Sequence, residues 1–377
     1  MTNAPDIVDV VALGESMVTF LPTRPGRLAD VPSFERGIGG AESNVACGLA
    51  AAGHSVRWVS RVGADGFGDH LVATIGSYGV DVSAVRRDPA RPTGVYFRTA
   101  GERGTDAHEV AYYRAGSAAS AMSPGDVDLE AVRAGRVLHL TGITAALSEG
   151  CRGLLHELTA PGVGRPLISF DVNHRPDLWR GAEGAGVVLE LARRADVVFV
   201  GEDEAEEAWG VSGGSSAVRE LLPEPGVLVV KQGAKGATAF VSAAGEWGLV
   251  AQFPAPLGSG GGPESQGEAS FPASLGAGAV TFVPALGVDV VATTGAGDAF
   301  AAGFLSGMLR GLSVTACLRT AHLHAAATLT TPGDLAVPPT RDTVDRLAAV
   351  DDGTWETLRL GPGWTQAVQA PEEVRIP

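Results

Sequence analysis

A recurrence of short apolar runs constrains the fold of this chain more than any other feature. The runs are rich in Val and occupy residues 7–13, 56–59, 137–140, 167–170, 197–200 and 227–230. The stretches between them, such as 42–52 and 186–194, are rich in Ala and Leu at helical spacing. Strands that alternate with helices predict an α/β fold, with a mostly parallel central sheet flanked by helices. In such sheets, ligands bind at the carboxyl ends of the strands.

Three segments interrupt this rhythm within what we predict to be one domain over residues 1–377. Residues 16–36 and 91–114 carry aromatic residues, Thr and Arg without a long helical pattern, which predicts extra strands that form a small β lid. Residues 255–279 are dominated by Gly, Ser, Pro and Ala. Such a segment cannot bury enough apolar surface to offset its ordering entropy, so we predict a flexible insertion without an assigned function.

The charge balance and the apolar content narrow the classes of partner. The chain has 28 basic and 43 acidic residues, a net charge of −15, which argues against general nucleic-acid binding. No segment approaches the roughly 20 apolar residues of a membrane span, and no basic region precedes the first apolar run as in a signal peptide. The three Cys residues are far apart in sequence and form no disulfide pattern. We therefore predict a soluble cytoplasmic protein.

The segment 290–310, VVATTGAGDAFAAGFLSGMLR, is the most informative one for function. Its small residues Gly295, Ala296 and Gly297 let the backbone approach a ligand, and their N–H groups lie at the start of an amphipathic helix, an arrangement that binds phosphate. Asp298 follows in the first turn. A carboxylate beside an anion site suits the transfer of a phosphoryl group to an alcohol, with Asp298 as the base. The alternative is an Asp that only caps the helix.

Two further motifs complete a family resemblance. The segment 37–46, GIGGAESNVA, places Gly39 and Gly40 before a helix that carries Asn44, and 60–68 reads SRVGADGFG. With GAGDAFAAGF, these motifs resemble the ribokinase-like (PfkB) carbohydrate kinases over nearly the whole chain. The resemblance implies ATP-dependent phosphorylation of a sugar hydroxyl, and a ribokinase-like fold. It assigns the sugar to Gly39, Gly40 and Asn44, the anion hole to the 295–297 amides, and the base to Asp298.

Three segments concern the choice of sugar. Tyr96 in TGVYFR, Tyr112 and Arg114 in YYRAGSAA, and Arg175 in DVNHRPDLW are similar to the branch of the family that phosphorylates 2-keto-3-deoxygluconate to its 6-phosphate. The similarity implies that Tyr96, Tyr112 and Arg114 contact the sugar and that Arg175 lies near its carboxylate. Arg suits a carboxylate because its guanidinium forms two parallel hydrogen bonds. Alternatively, each Arg pairs with a nearby acid such as Asp171.

The residues expected to bind the nucleotide are inferred from the family resemblance. Residues 229–236, VVKQGAKG, resemble the nucleotide strand and turn of the family, with Gly233 and Gly236 against ATP and Lys231 near phosphate. His322 occupies the position where relatives commonly place Asn beside the nucleotide. For Lys231 the alternative is a side chain that extends along the apolar surface to solvent, and for His322 it is an ordinary core or surface residue.

The chain departs from the family pattern at two positions. Gly201 replaces the Asn of an N-x-x-E motif that keeps Glu204, which the resemblance implies to act on Mg²⁺ through water. The alternative is that the acidic residues 202–207 only begin a helix. Ala292 replaces an Asp that helps relatives hold a monovalent cation, so that cation is not expected here.

Other functions remain open at this point. The first is another sugar kinase of the same family, such as a fructokinase, and the second is a non-catalytic sugar or nucleotide sensor. A nicotinamide dehydrogenase is disfavoured because no GxGxxG turn follows the first strand. The lid strands would leave exposed edges, which suggests a homo-oligomer formed through the lid.

Overall fold

The computed structural model describes residues 6–99, 109–179, 183–242 and 278–366. The strands in these ranges are β1 Val8–Leu13, β2 Met17–Pro22, β3 Phe34–Gly39, β4 Val56–Val59, β5 Arg61–Gly63, β6 Arg86–Asp88, β7 Val95–Arg98, β8 Val110–Tyr113, β9 Gly135–Thr141, β10 Leu167–Asp171, β11 Val197–Gly201, β12 Val227–Lys231, β13 Gly236–Val241, β14 Ala279–Pro284, β15 Gly287–Val288 and β16 Arg359–Leu360. The α-helices are α1 Ala41–Ala51, α2 Gly66–Ser77, α3 Leu129–Arg133, α4 Gly142–Ala146, α5 Glu149–Thr159, α6 Gly184–Arg193, α7 Glu202–Trp209, α8 Gly214–Leu221, α9 Ala296–Leu309, α10 Val314–Leu329, α11 Arg341–Ala348 and α12 Asp352–Thr357.

The central sheet has eight strands in the order β14-β13-β12-β11-β10-β9-β1-β4. All neighbours from β4 to β12 are parallel, and β13 and β14 are added antiparallel at one edge. Each of the six apolar runs forms one of the parallel strands, so the predicted α/β class is confirmed. The direction changes after β12 because only four residues separate it from β13, too few for a parallel crossover.

The sheet is buried on both faces because alternate residues of each strand pack against different helices. On one face, Phe199 of β11 contacts Phe304 of α9 edge to face, with ring centroids 5.5 Å apart. On the other, Phe170 of β10 packs in the cluster that includes Leu154 and Leu155 of α5. This double burial explains why the strands read as continuous Val-rich runs without polar alternation. Among the helices of the described ranges, none is long and apolar enough to cross a membrane.

A second sheet of four strands, in the order β3-β2-β7-β8, corresponds to the predicted lid. Its strands lie within the two segments 16–36 and 91–114, except that β3 extends three residues further, to Gly39. Residues 100–108, which connect β7 to β8, lie outside the described ranges. The predicted flexible insertion 255–279 also lies outside them, apart from its last two residues, so its character stays a prediction.

Candidate active site

A cavity of about 480 Å³ opens at the carboxyl edge of the parallel strands, under the small sheet. The residues that follow β1, β10, β11 and β12 line one side, the lid strands β7 and β8 line another, and the turn before α9 closes it. It therefore lies where a parallel sheet places its ligands. The predicted site residues that line it are Gly39, Gly40, Asn44, Tyr96, Tyr112, Arg114, Arg175, Glu204, Lys231, Gly295, Gly297 and Asp298.

The turn before α9 presents backbone amides to this cavity. Gly295 has a φ of 79°, and a Cβ atom there would lie 2.1 Å from the carbonyl oxygen of Asp334, so only glycine fits. Within the described ranges, the N–H groups of Gly295, Gly297 and Asp298 have no backbone acceptor. The N–H of Ala296 differs from the prediction because it donates to the carbonyl of Thr293 at 3.3 Å. The helix start thus offers free donors for an anion.

Asp298 lies in the first turn of α9 and faces the same cavity. Its Oδ2 accepts a hydrogen bond of 2.8 Å from Nδ2 of Asn44, so the helix that follows the glycine pair contacts the carboxylate directly. Burial raises the pKa of Asp298 to about 7, although the hydrogen bond from Asn44 lowers it. A carboxylate with a pKa near neutrality is matched to accepting a proton from an alcohol.

Lys231 ends β12 and reaches towards the anion turn. Its Nζ donates to both carboxylate oxygens of Asp171, at 3.0 and 3.1 Å, and would lie 3.6 Å from a Cβ atom at Gly297. Burial alone would lower the pKa of Lys231, but the charges of Asp171 and Glu204 outweigh it and the net shift is upwards. The ammonium group is therefore a fixed positive charge beside the free amides.

Glu204 lies in the first turn of α7, and both of its oxygens are engaged by the backbone. Oε2 accepts the N–H of Gly201 at 3.0 Å, and Oε1 accepts the N–H of His174. Burial raises the pKa of its carboxyl group, against the opposing charge of Lys231. Glu204 therefore caps α7 and also lines the cavity, and its action on Mg²⁺ stays a prediction.

Two residues that the sequence did not single out join the lid to the site. Nε and Nη2 of Arg98 donate to Oδ1 of Asp334, at 3.1 and 2.7 Å, and the hydroxyl of Tyr96 donates to Oδ2 of the same carboxylate. Gly39 lies against this group, because a Cβ atom there would be 2.5 Å from both the hydroxyl of Tyr96 and Asp334 Oδ2. Asp334 follows the end of α10 in a turn without a motif, which is why sequence patterns gave no signal.

The basic side chains of the cavity are mostly neutralised within it. Three of the four form ion pairs with acidic side chains that also line the cavity: Arg98 with Asp334, Arg114 with Glu15, and Lys231 with Asp171. The fourth, Arg175, is exposed and has no ion pair to any described residue. The alternative of an ion pair is thus realised for Arg114, with Glu15, and is not seen for Arg175.

Three predicted nucleotide residues do not line the cavity. Gly233 begins an exposed turn beyond β12, and Gly236 begins β13 at a φ of 142°, where a Cβ atom would lie 2.3 Å from the carbonyl oxygen of Val283. The close approach of β14 is therefore sufficient to require Gly236. His322 is 8% exposed in α10, with a ring nitrogen 3.2 Å from the same carbonyl oxygen and the ring of Phe300 against it.

The family model "pfkB family carbohydrate kinase" matches residues 8–255 and 265–341. Two relatives called "2-dehydro-3-deoxygluconokinase" align over most of the chain. The protein from Bacillus subtilis is 35% identical over 89% of this chain and 94% of its own length, and that from Thermoproteus tenax is 32% identical over 91% and 95%. The "Probable fructokinase-6, chloroplastic" of Arabidopsis thaliana is 28% identical over 89% and 81%.

Solved structures of sugar kinases and of a PfkB protein are also similar to this chain. The crystal structure of a PfkB protein from Polaromonas sp. JS666 superposes with a TM-score of 0.71 at 31% identity, covering 90% of this chain and 99% of that one. A sugar kinase from Pyrococcus horikoshii, solved in complex with ATP, has a TM-score of 0.68 at 25% identity over 89% and 96% of the chains.

Proposed function

Because this chain belongs to the pfkB family of carbohydrate kinases, we propose that it transfers a phosphoryl group from ATP to the 6-hydroxyl of 2-keto-3-deoxygluconate (2-dehydro-3-deoxygluconate). One observation carries the proposal: a half-buried carboxylate, Asp298, faces a cavity beside free amides at a helix start. The relatives named 2-dehydro-3-deoxygluconokinase support the choice of sugar.

In the proposed reaction, the sugar oxygen attacks the terminal phosphorus of ATP, its proton passes to the Asp298 carboxylate, and the bond from phosphorus to the leaving ADP oxygen breaks. We expect the amides of Gly295 and Gly297 and the ammonium of Lys231, which line the cavity, to stabilise the negative charge on the phosphoryl oxygens. Asn44 holds the carboxylate of Asp298 in place through its hydrogen bond of 2.8 Å.

The charges of the cavity support an acid sugar as the substrate. Arg175 is the one lining cation without an acidic partner among the described residues, and a substrate carboxylate would supply that partner. A neutral sugar would leave this charge unmatched. Tyr96 and Tyr112 lie on neighbouring lid strands on the cavity side and are placed to cover the sugar.

For the nucleotide we propose Mg²⁺-ATP, with its phosphates between Lys231 and the anion turn. Mg²⁺ in kinases is bound largely by phosphate oxygens and water, and it neutralises charge on the phosphates. Glu204 fits a role through water, because its oxygens already accept two backbone N–H bonds while its side chain lines the cavity. Ala292 supplies no carboxylate for a monovalent cation, so we propose equal activity in potassium and choline salts.

The test is ADP release by the purified protein with 2-keto-3-deoxygluconate, fructose or ribose as acceptor. We expect kcat/KM to be highest for the acid sugar, and Arg175→Ala to lower it at least tenfold for that sugar while fructose changes little. The matched control is Arg86→Ala, which removes an exposed Arg that does not line the cavity. Preference for fructose would instead indicate a fructokinase, and absence of ADP release with every sugar would favour a sensor.

We also propose that two copies associate through the outer face of the lid. Phe97 stacks on Phe20 with ring centroids 4.7 Å apart and contacts Phe34 and Tyr113, and the side chain of Tyr113 is 66% exposed. An apolar face of this kind is typical of a surface that a partner covers. Analytical ultracentrifugation should detect a dimer that Tyr113→Glu dissociates; a monomer at all concentrations would contradict the proposal.

A further inference from the structure

A buried acidic side chain without an assigned role, Glu15, contacts Arg114 at the wall of the cavity. We propose that Glu15 is a positioning residue. It holds the guanidinium of Arg114 in one orientation and neutralises its charge, so that Arg114 recognises uncharged oxygens of the sugar and Arg175 alone matches the substrate carboxylate. The substrate assignment in this inference rests on the proposed function.

The carboxylate of Glu15 contacts two side chains, those of Arg114 and Ser117. It forms an ion pair with Nη2 of Arg114 through Oε2 and accepts the hydroxyl of Ser117 through Oε1. The side chain of Glu15 is 1% exposed and that of Arg114 is 10% exposed. Oε1 of Glu15 therefore has a hydrogen-bond partner and Oε2 an ion-pair partner, and Glu15 acts on a substrate through Arg114.

Residues of the lid lie close to the Glu15–Arg114 ion pair. Gly94 precedes β7, and a Cβ atom there would lie 3.1 Å from Oε1 of Glu15 and 3.4 Å from Cβ of Arg114. The guanidinium carbon of Arg114 lies over the ring of Tyr112, 5.9 Å from the ring centroid. Nε of Arg114 is buried without a hydrogen-bond partner among the described residues. A donor held in this way, with an unused N–H, is suited to a hydroxyl or keto oxygen.

Because Glu15 pairs with Arg114 and not with Arg175, the two Arg residues are expected to have different roles. A guanidinium that already neutralises a buried carboxylate has little net charge to offer a second one. Arg175 is exposed and has no ion pair with a described residue, so it can offer its charge to a substrate carboxylate. The two Arg residues are therefore expected to differ in how they affect the preference for acid over neutral sugars.

The first experiment compares Arg114→Gln with Arg175→Gln on an acid sugar, 2-keto-3-deoxygluconate, and a neutral one, fructose. We expect Arg175→Gln to lower the ratio of the two kcat/KM values at least tenfold. Arg114→Gln should lower both values and leave the ratio within about threefold. A loss of acid-sugar preference in Arg114→Gln as large as in Arg175→Gln would overturn the division of roles.

The second experiment is a double-mutant cycle on Glu15 and Arg114, run with whichever sugar the wild type uses best. Glu15→Gln should raise KM for the sugar about tenfold, with kcat and KM for ATP within about threefold. Adding Arg114→Gln should cause no further loss, because both variants remove the same oriented donor. Independent, additive losses would overturn the positioning role. Glu35→Gln, an exposed acid of the lid that does not line the cavity, is the control.

Two further measurements keep the test decisive. Ser117→Ala removes the hydrogen bond to Oε1, together with the 3.3 Å bond that the Ser117 hydroxyl accepts from the N–H of Ser120, and should raise KM for the sugar two- to fivefold. An unchanged KM would contradict the positioning role of Glu15. In a crystal structure of Glu15→Ala, the guanidinium of Arg114 should leave its place, and an unmoved guanidinium would overturn the inference even without turnover. Failure of the proposed function has another signature, a wild type that prefers neutral sugars or releases no ADP.

Discussion

Replacing Glu42 by Gln should remove one defined contribution to the pH dependence of stability. The side chain of Glu42 is fully buried in α1, and its Oε1 accepts the hydroxyls of Thr141 and Thr144 at 2.8 and 2.6 Å. Burial raises the pKa of this carboxyl to about 7 from an ordinary value of 4.5, although both hydroxyls lower it. At pH 6 the folded protein therefore holds a proton that the unfolded chain has released.

This difference in proton binding between the folded and unfolded states sets the sign and the size of the effect of Glu42 on stability. The contribution of Glu42 to stability is fully present below pH 4.5, falls as pH rises from 4.5 to about 7, and is absent above that, because only the unfolded state loses the proton in this window. At about 1.4 kcal/mol per pKa unit, the loss is about 3 kcal/mol, a sizeable part of a typical stability of about 5–15 kcal/mol. Gln is neutral at every pH, and its carbonyl can accept the same two hydroxyls.

The assay is urea unfolding of wild type and Glu42→Gln between pH 5 and pH 8. Other groups titrate in both proteins, because burial raises the pKa of Asp298 to about 7 and lowers the pKa of His54, His139, His322 and His324 to about 4. The contribution of Glu42 is therefore the difference in free energy of unfolding between wild type and Glu42→Gln, which should change by most of the ~3 kcal/mol between pH 5 and pH 8. Glu130→Gln, which removes an exposed carboxylate in the first turn of α3, is the matched control. An identical pH dependence in wild type and Glu42→Gln would refute the reasoning.

Two other predictions concern the contacts of the site. Asn44→Ala removes the hydrogen bond that lowers the pKa of Asp298, so the acidic limb of the kcat–pH profile should move to higher pH; an unmoved limb would argue against Asp298 as the titrating base. Arg98→Met leaves the carboxylate of Asp334 buried without its ion pair and should lower the free energy of unfolding by about 3–5 kcal/mol in urea titrations. The double variant Arg98→Met with Asp334→Asn should recover much of that loss, and its failure to do so would mean that the pair is not the cause.

The parallel sheet could be predicted from sequence because its signal is local. Each Val-rich run is buried on both faces, so its continuous apolar sequence indicates a buried strand. The Gly residues before α9 likewise indicate a turn that has no room for a side chain. The ends of the parallel strands differ from those of the apolar runs by at most two residues. The antiparallel addition of β13 and β14 could not be predicted, because it depends on a four-residue connection after a strand that reads like the others.

The ion pairs of the site could not be predicted, because their members are far apart in sequence. Glu15 and Arg114 are separated by about a hundred residues and Arg98 and Asp334 by more than two hundred, and each acid lies in a loop without a recognisable pattern. The expectation for His322 rests on the family resemblance alone. Its burial against Phe300 depends on the packing of α9 on α10, which no local pattern reports.

The most direct test of the account is the turnover number of Asp298→Asn, measured as ADP release at saturating ATP and sugar, together with sugar binding by calorimetry. A carboxylate that accepts the proton of the sugar hydroxyl predicts a fall in kcat of about 10²- to 10⁴-fold, with the Kd for the sugar within about threefold of wild type. Asp203→Asn, an exposed acid in the first turn of α7, should leave both unchanged. A kcat within tenfold of wild type for Asp298→Asn, or a parallel loss of sugar binding, would contradict the role of Asp298 as the base.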